Sequence, residues 1–325
     1  MRALVVSNLQ ADAAAPGRGA FVRDQVAALR EFEGVEVSQF EFPPGPRALV
    51  QAAVTLRRRY GRERFDVVHA HFGLSAWPAL AVPARARLLT VHGTDVRHPR
   101  TRRLTTAVAR RMTLVAAVSA SLLAELPVAG PRRPTAVLPC GVDLQRFRPH
   151  PRAQARAALG LDPAGPYLLF PADPGRAGKR YDRAREVAAD TPLLTLGAVA
   201  PQDVPLWINA ANAVLVPSDA EGFGLAVLEA LACDVPVLAT DVGIHPLALR
   251  DLPGTWCGPY DREHWRTALA PHLAAPDPRV DGRDRAELFS ARRMAERVLV
   301  VWRALLADAP DREPGEAPVG HVLRG

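Results

Sequence analysis

The sequence predicts an α/β protein built from two doubly wound, Rossmann-like domains with parallel sheets facing a central cleft. Short apolar runs alternate with helix-like stretches along almost the whole chain. The runs are continuous rather than alternating, as in strands covered on both faces of a parallel sheet. The alternation pauses at Phe147-Arg148-Pro149-His150-Pro151 and then restarts, which divides 325 residues into two units of ordinary size.

In the first unit, strands are expected at residues 4–7, 35–42, 67–70, 88–91, 114–119 and 136–138. Helical spacing falls between them at 21–32, 48–60, 75–82, 102–111 and 120–126. A short helix at 152–159 follows the linker. The second unit then carries strands at 167–171, 193–196, 214–217 and 237–240, with helices at 180–189, 204–210, 225–233 and 264–273. Residues 274–283 are rich in Pro and Asp and read as a loop, and 286–307 read as one long final helix. The expected organisation is a domain at 1–148, a second at 149–285, a terminal helix at 286–308 and a flexible tail at 309–325. Ligands of such sheets bind beyond the carboxyl ends of the strands, so both domains would present loops to the cleft.

Charge is unevenly spread. Residues 1–150 hold 22 Arg against 11 acidic residues, a net of +11, while the remainder carries −4, giving +7 overall. A basic half invites a nucleic-acid reading. Aromatics are only 6%, and no helix-turn-helix, zinc-finger or RNP pattern is present, which argues against nucleic acid. An anionic membrane surface or an acidic substrate stays open, with Arg57-Arg58-Arg59, Arg102-Arg103 and Arg110-Arg111 as the surface elements. Lys179 is the only lysine. The three cysteines fit neither a disulfide framework nor a metal pair and point to a reducing, cytoplasmic setting. No apolar run reaches the roughly 18 residues of a membrane-spanning helix. The first residues run straight into Ala3-Leu4-Val5-Val6, from which no secretory leader is expected.

The most informative stretch is Pro217-Ser218-Asp219-Ala220-Glu221-Gly222-Phe223-Gly224-Leu225-Ala226-Val227-Leu228-Glu229-Ala230. A strand ends, a loop holds two glycines, and a helix begins. N–H groups at a helix start, with its dipole, suit a diphosphate, and glycines let backbone approach it. Glu221 and Glu229, on one cleft wall, could hydrogen-bond sugar hydroxyls at two places on an elongated ligand. A Gly-capped loop with two surface glutamates is the bland alternative. A second stretch, Leu169-Phe170-Pro171-Ala172-Asp173-Pro174-Gly175-Arg176-Ala177-Gly178-Lys179-Arg180, places cations on a strand-to-helix loop, where they could neutralise a leaving diphosphate.

The 217–230 stretch resembles the signature of the family 4 retaining glycosyltransferases of GT-B fold, Pro-Ser-x-x-Glu-Gly-Phe-Gly-Leu-x-x-Leu-Glu-Ala. The resemblance implies that Glu221 contacts the transferred sugar, Glu229 the nucleotide ribose, and the N–H groups of Gly222, Phe223, Gly224 and Leu225 the diphosphate. It implies a diphosphate-binding Lys at Lys179. Pro174 stands where the family has Arg, and Arg176 comes two residues late. In the first half, Pro16-Gly17-Arg18-Gly19 is similar to the family's glycine loop, with Gly19 near the donor phosphates. His92-Gly93-Thr94-Asp95 resembles the His-Gly-x-Asp motif, with His92 near the transferred sugar. His71 and Asp95 are candidate acceptor contacts, with His69 beside them. The final helix, with Trp302, resembles the one that crosses back to the first domain.

The implied activity is transfer of a sugar from a nucleotide-diphosphate-sugar to a glycan, lipid-linked or small-molecule acceptor, with retention. No Asp-x-Asp pair is present, so no metal ligand set and no cofactor are expected. His92, Arg176, Lys179 and Glu221 are the catalytic candidates. A non-catalytic sugar-nucleotide-binding subunit and a sugar-nucleotide epimerase are the alternatives, and peripheral contact with an anionic membrane is a further expectation.

Overall fold

The computed structural model describes residues 1–126 and 134–307. The expected tail at 309–325 lies outside the described residues. The first sheet contains β1 (Arg2–Ser7), β2 (Glu36–Glu41), β3 (Phe65–His71), β4 (Ala84–Val91), β5 (Leu114–Ala117) and β6 (Thr135–Val137), in the order β2-β1-β3-β4-β5-β6. The second contains β7 (Leu168–Phe170), β8 (Leu193–Thr195), β9 (Ala213–Val216), β10 (Val237–Ala239) and β11 (Trp256–Cys257), in the order β11-β10-β9-β7-β8. Every named pairing is parallel. The strands β4, β5, β9 and β10 are buried along most or all of their length. Burial on both faces is why their sequences read as unbroken apolar runs.

Strand order fixes where a ligand can sit. In the first sheet the winding reverses between β1 and β3, and in the second between β7 and β9. Loops that leave adjacent strands in opposite directions open a crevice at each reversal. The glycine loop 16–19 follows β1, and His71 ends β3. The cation loop follows β7, and the Glu221 loop follows β9. The candidate residues therefore gather at the two switch points.

Two expectations are corrected. The final helix is not continuous: Arg283–Glu287 and Ala291–Ala307 are separate helices. Between them the chain extends to pair with Val142, whose N–H donates to Phe289 O at 2.9 Å while Ala291 N–H donates to Val142 O at 2.8 Å. A pairing that spans about half the chain overrides local helical spacing. Two short helices, Thr94–Arg97 and His245–Leu249, and the two-residue strand β11 were not expected. The helix Ala291–Ala307 buries Ala295, Val298, Leu299, Trp302 and Leu305 among Val5 and Leu88 of the first sheet and Val22 and Val26 of the helix Ala20–Arg30. It thus returns from the second sheet to complete the first sheet's core.

Candidate active site

The second sheet supplies a cradle. Beyond β7, Asp173 Oδ1 accepts from Gly175 N–H at 2.8 Å, and a tight turn at Ala177–Lys179 follows. Arg180 takes a left-handed φ of 59° and starts the helix Tyr181–Ala188. This loop is tied to the one after β9. Asp219 N–H donates to Gly178 O at 3.0 Å, and Arg180 and Arg183 reach Asp219 at 3.1 and 2.9 Å. Lys179 Nζ lies 2.6 Å from Glu221 Oε1, and Ser218 Oγ–H donates to the same oxygen at 2.7 Å. Burial pushes the Glu221 carboxyl up. The Lys179 charge and hydrogen bond, with His245 and Ser218, outweigh it and hold the carboxyl below its usual value.

Gly224, at a left-handed φ of 102°, begins the helix Leu225–Ala232, and no side chain caps it. Its leading N–H groups and its dipole are thus left for an anion. Only glycine fits here, because a Cβ would lie 2.4 Å from His245 Nε2. The Phe223 side chain is buried, edge-on to Phe289 with centroids 6.1 Å apart, and its carbonyl accepts from Ile244 N–H at 2.7 Å. What Phe223 can offer a ligand is its backbone.

The first sheet supplies the opposite wall. Gly93, with a φ of 119°, turns the chain after β4. Asp95 Oδ1 accepts from the N–H groups of His92 and Gly93 at 3.0 and 2.9 Å, and Oδ2 from Gly73 N–H at 3.2 Å. His71 Nδ1 lies 2.9 Å from His92 Nε2. The His92 ring stacks on Phe72 with centroids 4.6 Å apart and leans on Phe21 at 4.9 Å. Gly19, at a left-handed φ of 73°, begins the helix that carries Phe21, which brings the glycine loop beside His92.

The two walls touch. A Cβ on Gly222 would sit 1.9 Å from His92 O. Arg97 Nη1 donates to Glu221 O at 3.0 Å, and Ser119 Oγ–H to Gly222 O at 3.0 Å. Glu125 holds the other edge of Arg97, with Oε1 2.8 Å from Nη2 and Oε2 2.9 Å from Nε. Glu229 lies in the second turn of the helix Leu225–Ala232. Burial pushes its carboxyl up to about 7, Arg146 pulls it down and Asp24 pushes it up. Arg146 and Asp24 form a two-point ion pair, at 3.0 and 2.5 Å, between the linker and the helix Ala20–Arg30.

The structure therefore brings His92, Lys179, Glu221, Gly222, Gly224 and Leu225 to the seam between the two walls, with Gly19 and Glu229 on the helices beside it. It corrects the acceptor contacts. Asp95 is 3% exposed and spends both oxygens on backbone N–H groups of its own wall, and His71 is 1% exposed beneath His92. Both act on the shape of the wall. Arg176 is exposed and its guanidinium has no protein partner among the described residues, so it stands free at the rim. Sequence reasoning missed Arg97, Ser119, Ser218 and His245. Only Ser218 carried a usable signal, its place in the Pro-Ser-x-x-Glu frame. Among the described residues, no group of three or more His, Cys, Asp or Glu could hold a metal ion.

Two facing doubly wound sheets, with a cationic loop and an uncapped helix start at the switch point, define a protein of GT-B architecture. Comparisons with known proteins agree. The family described as Glycosyltransferase Family 4 matches residues 1–146, and Glycosyl transferases group 1 matches residues 177–287. The D-inositol 3-phosphate glycosyltransferase of Saccharomonospora viridis is 31% identical over 75% of this chain and 71% of that protein. The enzyme of the same name from Mycobacterium avium is 32% identical over 82% and 74%. Among solved structures, sucrose-phosphate synthase from Thermosynechococcus elongatus superposes with a TM-score of 0.72 at 21% identity, covering 94% of this chain and 99% of that one. Anabaena HepE in complex with UDP-glucose gives 0.67 at 16%, covering 94% and 100%. The chain belongs to family 4 of the glycosyltransferases and is a glycosyltransferase enzyme.

Proposed function

We propose that the enzyme moves a sugar, with retention and without a metal, from a nucleotide-diphosphate donor to a phosphate-bearing acceptor. The observation that carries this reading is the Lys179–Glu221 pair at 2.6 Å beside the uncapped helix start at Gly224. In the structure the two side chains satisfy each other. A bound donor would exchange that contact, its diphosphate taking Lys179 and the helix N–H groups and its sugar taking Glu221. The bond from the anomeric carbon to the phosphate oxygen breaks, and charge grows on the diphosphate. Lys179 and the helix dipole are fixed to receive it, a preorganised electrostatic role, and the free guanidinium of Arg176 can swing in to join them. The acceptor oxygen bonds to the anomeric carbon from the same face, and its proton passes to the departing phosphate oxygen. Neither glutamate is then a nucleophile. Contact of the two walls at Gly222 and His92 would keep water from the donor.

The acceptor reading rests on a groove at the first wall's rim, about 470 Å³, lined by Arg97, Arg102, Arg103 and Arg110. Among the described residues, Arg102, Arg103 and Arg110 are exposed and form no salt bridge within 4 Å, although the Arg102 charge helps to hold the Glu125 carboxyl down. Guanidinium groups grip phosphate bidentately, and the relatives above are named for a phosphorylated inositol. A lipid-linked acceptor joined through phosphate would present the same charge. No helix among the described residues is long and apolar enough to cross a membrane. A peripheral contact of the basic face with an anionic membrane, from the cytoplasmic side, fits the exposed Val50, Val54 and Leu104 set among arginines.

A thermal-shift screen with UDP-, GDP-, ADP- and dTDP-sugars identifies the donor, because a ligand at a hundred times its Kd adds about 2.7 kcal/mol. Proton NMR of the product then reads the anomer. Donor turnover with inversion, or no shift from any nucleotide-sugar, would overturn the reading.

A further inference from the structure

Three imidazoles stack toward the cleft. His69 and His71 project from one face of β3, with ring centroids 4.4 Å apart, and His92 follows with its centroid 5.2 Å from His71. Burial keeps all three neutral, holding the His71 ring down to about 3 and the other two well below their usual value. Between His71 Nδ1 and His92 Nε2, 2.9 Å apart, lies one hydrogen bond, so one of the two nitrogens must carry the proton.

The surroundings decide which. His71 Nε2 is buried and has no hydrogen-bond partner among the described residues. If His92 Nε2–H were the donor, neutral His71 would keep its proton on Nε2, as a buried N–H with nothing to receive it. If His71 Nδ1–H is the donor, Nε2 keeps only a lone pair. Orphaned buried N–H groups are rarer than under-used acceptors, because the lost donor bond costs more. The second arrangement therefore wins. It leaves the proton of neutral His92 on Nδ1, an atom with no hydrogen bond among the described residues. Phe72 and Phe21 hold the ring at 4.6 and 4.9 Å, so it cannot readily flip to exchange its nitrogens.

We propose that His71 is a positioning residue that fixes His92 in the Nδ1–H tautomer. His92 then meets the donor sugar as a hydrogen-bond donor and does not act as the base that takes the acceptor's proton. This deepens the glycosyltransferase reading of the cleft and rests on it for the sugar contact alone.

The test is a long-range proton–nitrogen NMR spectrum of the full chain labelled with nitrogen-15. His92 is assigned by the signals lost in His92→Gln. The proposal expects a protonated Nδ1 and an unprotonated Nε2 at His92, unchanged between pH 6 and 8. In His71→Leu the tautomer should move toward Nε2–H, the form an unconstrained neutral histidine side chain prefers. In His71→Asn, whose amide nitrogen takes the place of Nδ1, the Nδ1–H form should persist. Transfer follows: kcat falls about tenfold in His71→Leu, the effect of one misdirected hydrogen bond, and stays within about threefold in His71→Asn. Nucleoside diphosphate affinity is unchanged in both.

A wild-type His92 protonated on Nε2 would overturn the proposal, as would the same tautomer with and without the His71 side chain. The wild-type spectrum decides even where His71→Leu fails to fold. It needs no sugar donor, so a chain lacking transferase activity but showing the expected tautomer would sink the parent reading alone.

Discussion

Replacing Gly222 by alanine separates closure of the cleft from folding. The new Cβ would stand 1.9 Å from the carbonyl oxygen of His92. Ordinary carbon–oxygen contacts are about 3.3 Å or longer, so the two walls must part by about 1 Å or more. The Cβ is fixed directly to the backbone and the oxygen is part of it, so neither can swing aside. Parting breaks the bonds from Arg97 to Glu221 O and from Ser119 to Gly222 O, each 3.0 Å long. The first has a charged donor and is worth about 1.5–3 kcal/mol, the second about 0.5–1.5 kcal/mol. A loss of about 2–4.5 kcal/mol from the closed state lowers kcat/KM by roughly 30- to 2,000-fold. Gly222 is outside the left-handed region, so alanine strains no backbone and each sheet folds as before. Transfer kinetics and a thermal melt read the two effects separately. Gly178→Ala, with no atom within 4 Å of the added carbon, is the neutral control. A Gly222→Ala enzyme within threefold of wild type in kcat/KM would refute the reasoning.

Gly224→Ala should instead cost stability, about 2–4 kcal/mol by urea unfolding, because it combines a φ of 102° with a Cβ 2.4 Å from His245 Nε2. Glu229 should make stability depend on pH. Its carboxyl titrates near 7 in the folded chain and near 4.5 when unfolded, so across that window the folded state holds a proton the unfolded one has released. Stability therefore falls as pH rises from about 4.5 to 7 and levels off above, and Glu229→Gln should flatten the profile. The ribose role that the family resemblance implies for Glu229 needs its ionised form, so donor affinity by calorimetry should rise around pH 7. Arg146→Gln removes the group that pulls Glu229 down, and should move that rise to higher pH. Arg102→Gln with Arg103→Gln and Arg110→Gln should raise KM for a phosphorylated acceptor at least tenfold, about 1.4 kcal/mol, and leave nucleotide binding unchanged.

Much of this was legible in the sequence, for physical reasons. Buried parallel strands need apolar side chains on both faces, so β1, β4, β9 and β10 announce themselves. The strand-loop-helix frame around Glu221 and the lone Lys179 led to a pair that does meet, at 2.6 Å. What escaped depends on residues far apart in the chain. The helix break at 288–290 is set by Val142, and the closed walls by Arg97 and Ser119, more than 100 residues from the carbonyls they hold. Asp95 was misplaced for the same reason. Spacing put a carboxylate at a strand end, but only the fold brings Gly73 N–H to its second oxygen. The strand β11 is two residues long, too short to leave a pattern.

The central claim is that Lys179 receives the charge of the departing diphosphate. The most direct measurement is kcat/KM for transfer by Lys179→Gln, which keeps a hydrogen-bond donor for Glu221 Oε1 and removes the charge. The account predicts a fall of about 100-fold or more, with the melting temperature within a few degrees of wild type. A folded Lys179→Gln enzyme that transfers sugar within threefold of the wild-type rate would contradict it.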